Sequence, residues 1–315
     1  MHQPGDPALL RPLSLGEIFD RAVTLYVRNF AVVSLIALVV ALPLAVVQFV
    51  AGLHQSATFL QILDQIQHPG KAPMPQSSGF ETALFFAAIP LSIVLNSFML
   101  VAIASAIGDL YRGERPEWTA CYARAARRLG AIALALLGQF AVLLVLVFAG
   151  MFLMFTAFFI AFLFVRLSTA LGIVAIVVAG IITLAWFLSM LLCYLAFGFA
   201  FNALGNEQTG GGGAILRGFG LVFNRSELLR ALLVCLALMA IYIGLSAVAM
   251  GVAVLFEMVH MPLLYIAVNA VVSLITSAFV SVLLTVYYFD VRVRREGIDL
   301  QAQIHDLPQT AVSTP

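Results

Sequence analysis

The chain has 315 residues, of which 63% are apolar and only 10% charged, against roughly 45–50% and about 25% in soluble domains. Sixteen basic and 15 acidic residues leave a net charge of +1, too few charges to coat a water-soluble surface of this size and no excess with which to hold nucleic acid. A soluble globule, a disordered chain, a disulfide-stapled secreted domain and a nucleic-acid binder are excluded, which leaves an integral membrane protein.

Residues 1–12 read as a short polar lead. From 14 to 30, Leu15, Ile18, Phe19, Ala22, Tyr26 and Phe30 recur at spacings of three and four, with Glu17, Asp20, Arg21, Thr24 and Arg28 on the other side. That period predicts an amphipathic helix lying at the membrane interface, an elbow before the chain turns into the lipid. Ser14 and Glu17 stand at the spacing of a capping box, which predicts the helix start. The first apolar run begins near Phe30, too late and too long for a signal-peptide core, so no cleavable leader is expected.

A helix needs about 20 apolar residues to cross a 30 Å hydrocarbon core. The runs that satisfy this lie near 30–52, 82–107, 131–157, 169–200, 228–256 and 262–289. The segment 129–206 holds one charge, Arg166, and more residues than two minimal crossings use. Two long helices are the favoured reading, with four crossings there, and eight in all, as the alternative.

Between the first two spans, residues 53–81 contain Phe59, Ile62, Leu63 and Ile66 and then the breakers Pro69, Gly70, Pro73 and Pro75. This segment reads as a cap on the bundle or a contact for a partner outside. Arg115-Pro116 precedes a second elbow at 117–129, as Arg11-Pro12 precedes the first. A third elbow at 214–225 aligns with the first, matching Ile18 to Ile215, Tyr26 to Phe223 and Arg28 to Arg225. Gly210–Gly213 before it is expected to be a flexible link. The run from Asp109 to Glu114 resembles the run from Asp290 to Gly297. The chain therefore reads as three units, each an elbow followed by two crossings, making one membrane domain over 13–297. Residues 298–315 are expected to be a disordered tail.

Fourteen of the 16 Lys and Arg residues fall in the lead, the second and fourth connections and the tail. Lys71 and Arg166 alone fall in the others. By the positive-inside rule both termini are expected in the cytoplasm, in the inner membrane of a bacterium.

Reactive constellations are sparse. His2, His54, His68, His260 and His305 are scattered, without the i,i+4 pair of a zinc helix, and no Cys-x-x-Cys occurs. Ser246 follows Gly244, but Val248 stands where a nucleophile elbow needs glycine. The glycine run is not followed by Lys-Ser/Thr, which excludes a P-loop. Cys121, Cys193 and Cys235 are expected to fill space. Glu257 and His260, at the end of the fifth run, suit a solvated turn, or an ion site as the alternative. Neither a cofactor, a metal nor a catalytic group is expected.

What remains for a site are uncharged polar residues inside the spans: Asn96, Gln139 and Asn269, and Ser273, Ser277, Ser281 and Thr285 at every fourth position of the last span, with Thr276 beside them. Such a stripe suits a tight helix contact and equally a hydrophilic groove. Phe148, Phe152, Phe155, Phe159 and Phe162 form an aromatic stripe, suited to lipid contact or packing, with an acyl-chain groove as the alternative.

The opening Arg11-Pro12-Leu13-Ser14-Leu15-Gly16-Glu17-Ile18-Phe19-Asp20, with Leu25-Tyr26 and Arg28-Asn29-Phe30, resembles the start of bacterial glycerophosphoryl diester phosphodiesterase membrane-domain proteins. The ending Tyr287-Tyr288-Phe289-Asp290-Val291-Arg292-Val293-Arg294-Arg295-Glu296-Gly297 is similar to the same family's tail. The resemblance implies a multi-helix membrane domain without the soluble catalytic part, since the His-Arg-Gly run and Glu-x-Asp pair of that part do not occur. It transfers no site residues. The expectation is an all-α polytopic bundle of six transmembrane helices with interfacial elbows, not an enzyme, touching membrane lipids. It would anchor or assist a partner in the membrane or envelope, with a permease for a lipid or small amphipathic solute as the alternative. Oligomeric state is not legible.

Overall fold

A computed structural model describes residues 12–47, 79–258 and 262–297. Among these residues the regular elements are all helical: α1 (Leu15–Arg28), α2 (Phe30–Val47), α3 (Gly79–Tyr111), α4 (Trp118–Arg127), α5 (Leu129–Leu167), α6 (Thr169–Asn206), α7 (Gly211–Val222), α8 (Leu228–Met258) and α9 (Pro262–Glu296). Six of them, α2, α3, α5, α6, α8 and α9, are long and apolar enough to cross a membrane. The protein is an all-α polytopic membrane bundle.

Segment 129–206 forms two helices of 39 and 38 residues, parted only by Ser168 in extended conformation. At about 1.5 Å per residue each is on the order of 57 Å long, well beyond the hydrocarbon thickness. Trp186 locks the hairpin: its Nε1 donates to Leu146 O at 2.9 Å.

Each short helix precedes a spanning pair and buries one side. α1 buries Ile18, Ala22 and Tyr26, α4 buries Cys121 and Ala125, and α7 buries Ala214, Gly218, Leu221 and Val222. The capping box forms at α1, with Ser14 N–H donating to Glu17 Oε2 at 2.7 Å and Glu17 N–H to Ser14 Oγ at 3.3 Å. At α7 the expectation of a flexible glycine link is corrected, because the helix begins at Gly211. A Cβ on Gly211 would stand 2.4 Å from Ala131 O, and one on Gly218 would stand 2.1 Å from Ala196 O. These glycines let α7 lie directly on the backbones of α5 and α6.

The arrangement of the three units is circular. α4 packs on α3, α7 on α6 and α1 on α9, so each short helix rests on the last helix of the preceding unit, and the first unit closes on the third. The three supporting helices α3, α6 and α9 also pack on one another. Their buried runs, 99–107, 195–204 and 281–288, lie toward the ends that carry the charges. Apart from Ser105, Asn202, Ser281 and Thr285, these stretches are apolar around the helix because they are covered on every side. Away from those ends packing thins: between Leu144 and Phe187 only Gly150, Ala161, Gly172 and Ala179 are buried.

The lead (except Pro12), the connection from 48 to 78 that contains most of the expected outer cap, His260 and the tail 298–315 lie outside the described residues.

Candidate functional site

Each unit's second crossing ends in a carboxylate, and each carboxylate reaches the next short helix or the turn before it. Asp109, ending α3, is 4% exposed and takes both terminal nitrogens of Arg124 on α4, one at 2.7 Å, together with Arg112. Glu207, just past α6, pairs with Arg217 on α7 at 3.3 Å and Arg292 on α9 at 3.3 Å, and accepts from the Tyr288 hydroxyl. Asp290, in the last turns of α9, is fully buried at its side chain and holds Arg230 at 2.8 Å and Arg294 at 3.3 Å. Its Oδ1 accepts the Leu13 amide at 2.6 Å, while the Leu13 carbonyl accepts from Arg230 and from Arg294 at 2.6 Å. Arg128, between α4 and α5, donates to Leu204 O at 3.0 Å and to Glu207 O at the end of α6. Arg217 also pairs with Glu296.

Buried carboxylates are tolerable only when paired and hydrogen-bonded, and two-point guanidinium contacts are the strong form of such pairing. Hydrogen bonds to Asp109 hold the Arg124 guanidinium above its ordinary pKa against the opposing effect of burial. At Arg217 burial works to lower the pKa, but Glu207 and Glu296 hold it above the ordinary value. Beside Arg124, burial pushes the Cys121 thiol up, with the nearby guanidinium opposing. Arg124 Nη2 donates to its sulfur at 3.3 Å.

Farther along the helices, α3, α5, α6 and α9 enclose a cavity of about 200 Å³. It brings together two of the positions singled out in sequence, Asn96 and Gln139, and adds Ser92, Ser97 and Tyr194. Asn96 Nδ2 donates to Ser92 O at 2.8 Å, and the Ser97 hydroxyl to Ile93 O at 2.8 Å. Gln139 Oε1 is buried with no partner among the described residues. Tyr194, 60% exposed, stands at the rim. The volume suits a few waters at about 30 Å³ each, and falls below the roughly 300–1,000 Å³ of small-molecule sites.

The last span's polar stripe does not line this cavity, to which α9 contributes Leu284. Its hydroxyls turn onto their own helix: Ser277 donates to Leu274 O, Ser281 to Ser277 O and Thr285 to Ser281 O, at 3.1, 2.8 and 2.8 Å. Ser281 and Thr285 are buried, Ser273 is exposed and Asn269 half-buried. The phenylalanine stripe faces outward, Phe152 being 74% and Phe155 72% exposed. Glu257 falls in the last turn of α8, and His260, its expected neighbour in a turn, lies outside the described residues. Sequence reasoning missed the three carboxylates Asp109, Glu207 and Asp290. Their signal was an acid at the end of each unit's second apolar run, with arginines in the connection that follows.

Among the described residues no three His, Cys, Asp or Glu side chains gather as a metal site would require. Compared with protein-family models, curated proteins and solved structures, the chain matches none.

Proposed function

We propose that the chain is a non-enzymatic multi-pass module of a bacterial cytoplasmic membrane, whose arginine-rich end faces the cytoplasm and anchors or assists a partner in an envelope or lipid-related process. The observation that carries this reading is the ring of polar contacts at Asp109, Glu207 and Asp290, which links all three units at one end of the bundle. An end cross-linked in this way suits a surface that holds something in place. The excess of arginine at the same end supports cytoplasmic termini, and the three short helices suit the interface. The two segments similar to glycerophosphoryl diester phosphodiesterase membrane domains include Leu13, Asp290 and Arg294, the residues of the closing contact.

A second reading, a permease for a lipid or small amphipathic solute, is favoured by the cavity at Asn96 and Gln139. One pair of experiments separates them. A photo-crosslinking residue replacing Leu216, exposed on α7, should yield one recurrent protein adduct in intact cells. Vesicles holding the purified chain should show neither phospholipid turnover nor saturable flux. Absence of any adduct, together with a flux abolished by Asn96→Ala or Gln139→Ala, would replace the first reading with the second.

A further inference from the structure

We propose that the pocket between α3, α4 and α6 is a binding site for a phosphate ester, with Arg127 and Arg128 as its principal ligands and Arg124 beside them. The pocket measures about 350 Å³, and three guanidiniums line it with no carboxylate among the lining residues. Of the acids beside it, Asp109 is already shared by Arg112 and Arg124, and the Glu207 carboxylate pairs with Arg217 and Arg292. Among the described residues neither Arg127 nor Arg128 has a carboxylate within 4.0 Å.

The guanidiniums are held in place with donors to spare. Arg128 is fixed through Nη1 by the Leu204 and Glu207 carbonyls, leaving Nε and Nη2 without a bond among the described residues. Among the same residues Arg127 uses only Nε, on Ala123 O at 3.3 Å, leaving both terminal nitrogens. The Nε of Arg124 is buried with no partner among the described residues. An anion with several acceptor oxygens satisfies these donors together, and fork-shaped guanidiniums match phosphate geometry.

The corresponding place in the third unit shows why this one stands out. There a pocket of about 290 Å³ is lined by Arg217 and Arg295, but Glu296 lines it too and Glu207 adds a second acid to Arg217. That place is neutralised from within, whereas the α4 pocket keeps its positive charge. Basic pockets between spanning helices are where anionic lipid headgroups bind. Trp118 and Leu129, 40% and 53% exposed at either end of α4, offer apolar flanks to a lipid. A soluble phosphate would use the arginines alone.

The test uses the full chain in nanodiscs of neutral phosphatidylcholine. One arm replaces part of the lipid with phosphatidylglycerol, the other adds inorganic phosphate, and both read bound ligand and thermal midpoint. Arg127→Gln removes a pocket guanidinium that bonds only its own helix; Arg115→Gln removes an equal charge outside the pocket. At least one of the two ligands should bind the native chain, with about tenfold loss in Arg127→Gln, the size expected for one charge-assisted contact of roughly 1.4 kcal/mol. Arg115→Gln should retain binding. A response in the lipid arm alone identifies a headgroup, and a response to inorganic phosphate identifies a soluble ester. No response in either arm, or equal losses in the two variants, overturns the site.

Discussion

The amide of Leu13 and the carboxylate of Asp290 meet at 2.6 Å across 277 residues of chain, and this bond closes the ring of three units. Asp290 has no exposed side-chain surface and serves Arg230 and Arg294 as well. Asp290→Asn keeps the shape and removes the charge, leaving two guanidiniums under-compensated. Loss of one partner from a buried pair costs about 3–5 kcal/mol. The expected outcome is a clearly lowered unfolding midpoint in detergent, with the α1 segment becoming the first site of protease cleavage. A midpoint equal to that of the native chain would show that the contact contributes nothing to closure.

The glycines of α7 give a paired prediction. A methyl at Gly218 would stand 2.1 Å from Ala196 O, whereas at Gly220 nothing lies within 4 Å. Gly218→Ala must push α7 off α6 and should lose about 1–3 kcal/mol. Gly220→Ala should gain up to about 1 kcal/mol from helix propensity. Thermal midpoints of the two variants check the opposite signs.

Gln139 carries a buried oxygen with no partner among the described residues. Replacing it with leucine, of similar size, removes an unsatisfied polar group and should leave stability unchanged or raise it by about 1 kcal/mol. A marked loss on denaturation would mean that the cavity depends on a polar occupant at that point.

Cys121 should react slowly. Burial raises its thiol pKa, so the folded protein keeps the proton more firmly than the unfolded chain does. The resulting stabilisation is complete below the ordinary thiol pKa and fades as pH rises through the folded value. Maleimide labelling near pH 8 should therefore be far slower in the folded protein than after denaturation, and should accelerate with rising pH above the range of a free thiol.

Much of the architecture is local and so was legible. The Ser14–Glu17 capping box spans three residues, and spanning helices announce themselves by length and hydropathy. What stayed hidden depends on distance along the chain. Asn96 and Gln139 share a cavity although they sit on different helices, and no periodicity relates α3 to α5. The circular closure of α1 on α9 is of the same kind. The glycine run was misread for another reason: glycine serves both flexible links and close helix approach, and composition does not separate the two. The serine stripe of α9 suited a tight helix contact as well as a groove, and spacing alone did not show that its hydroxyls bond back to their own helix.

Because the ring is fastened by residues 13 and 290, its assembly is timed by synthesis. At about 5–20 residues per second, the first short helix emerges tens of seconds before its permanent neighbour exists. A nascent chain stalled in the final helix would hold one finished joint, at Asp109, with Glu207 still lacking Arg292 and the Leu13 carbonyl unmatched by Arg294. Quality-control proteases that read unpaired polar groups in the bilayer would find such a product at those open contacts, so truncations near the C-terminus should be cleared more harshly than their small loss of length suggests.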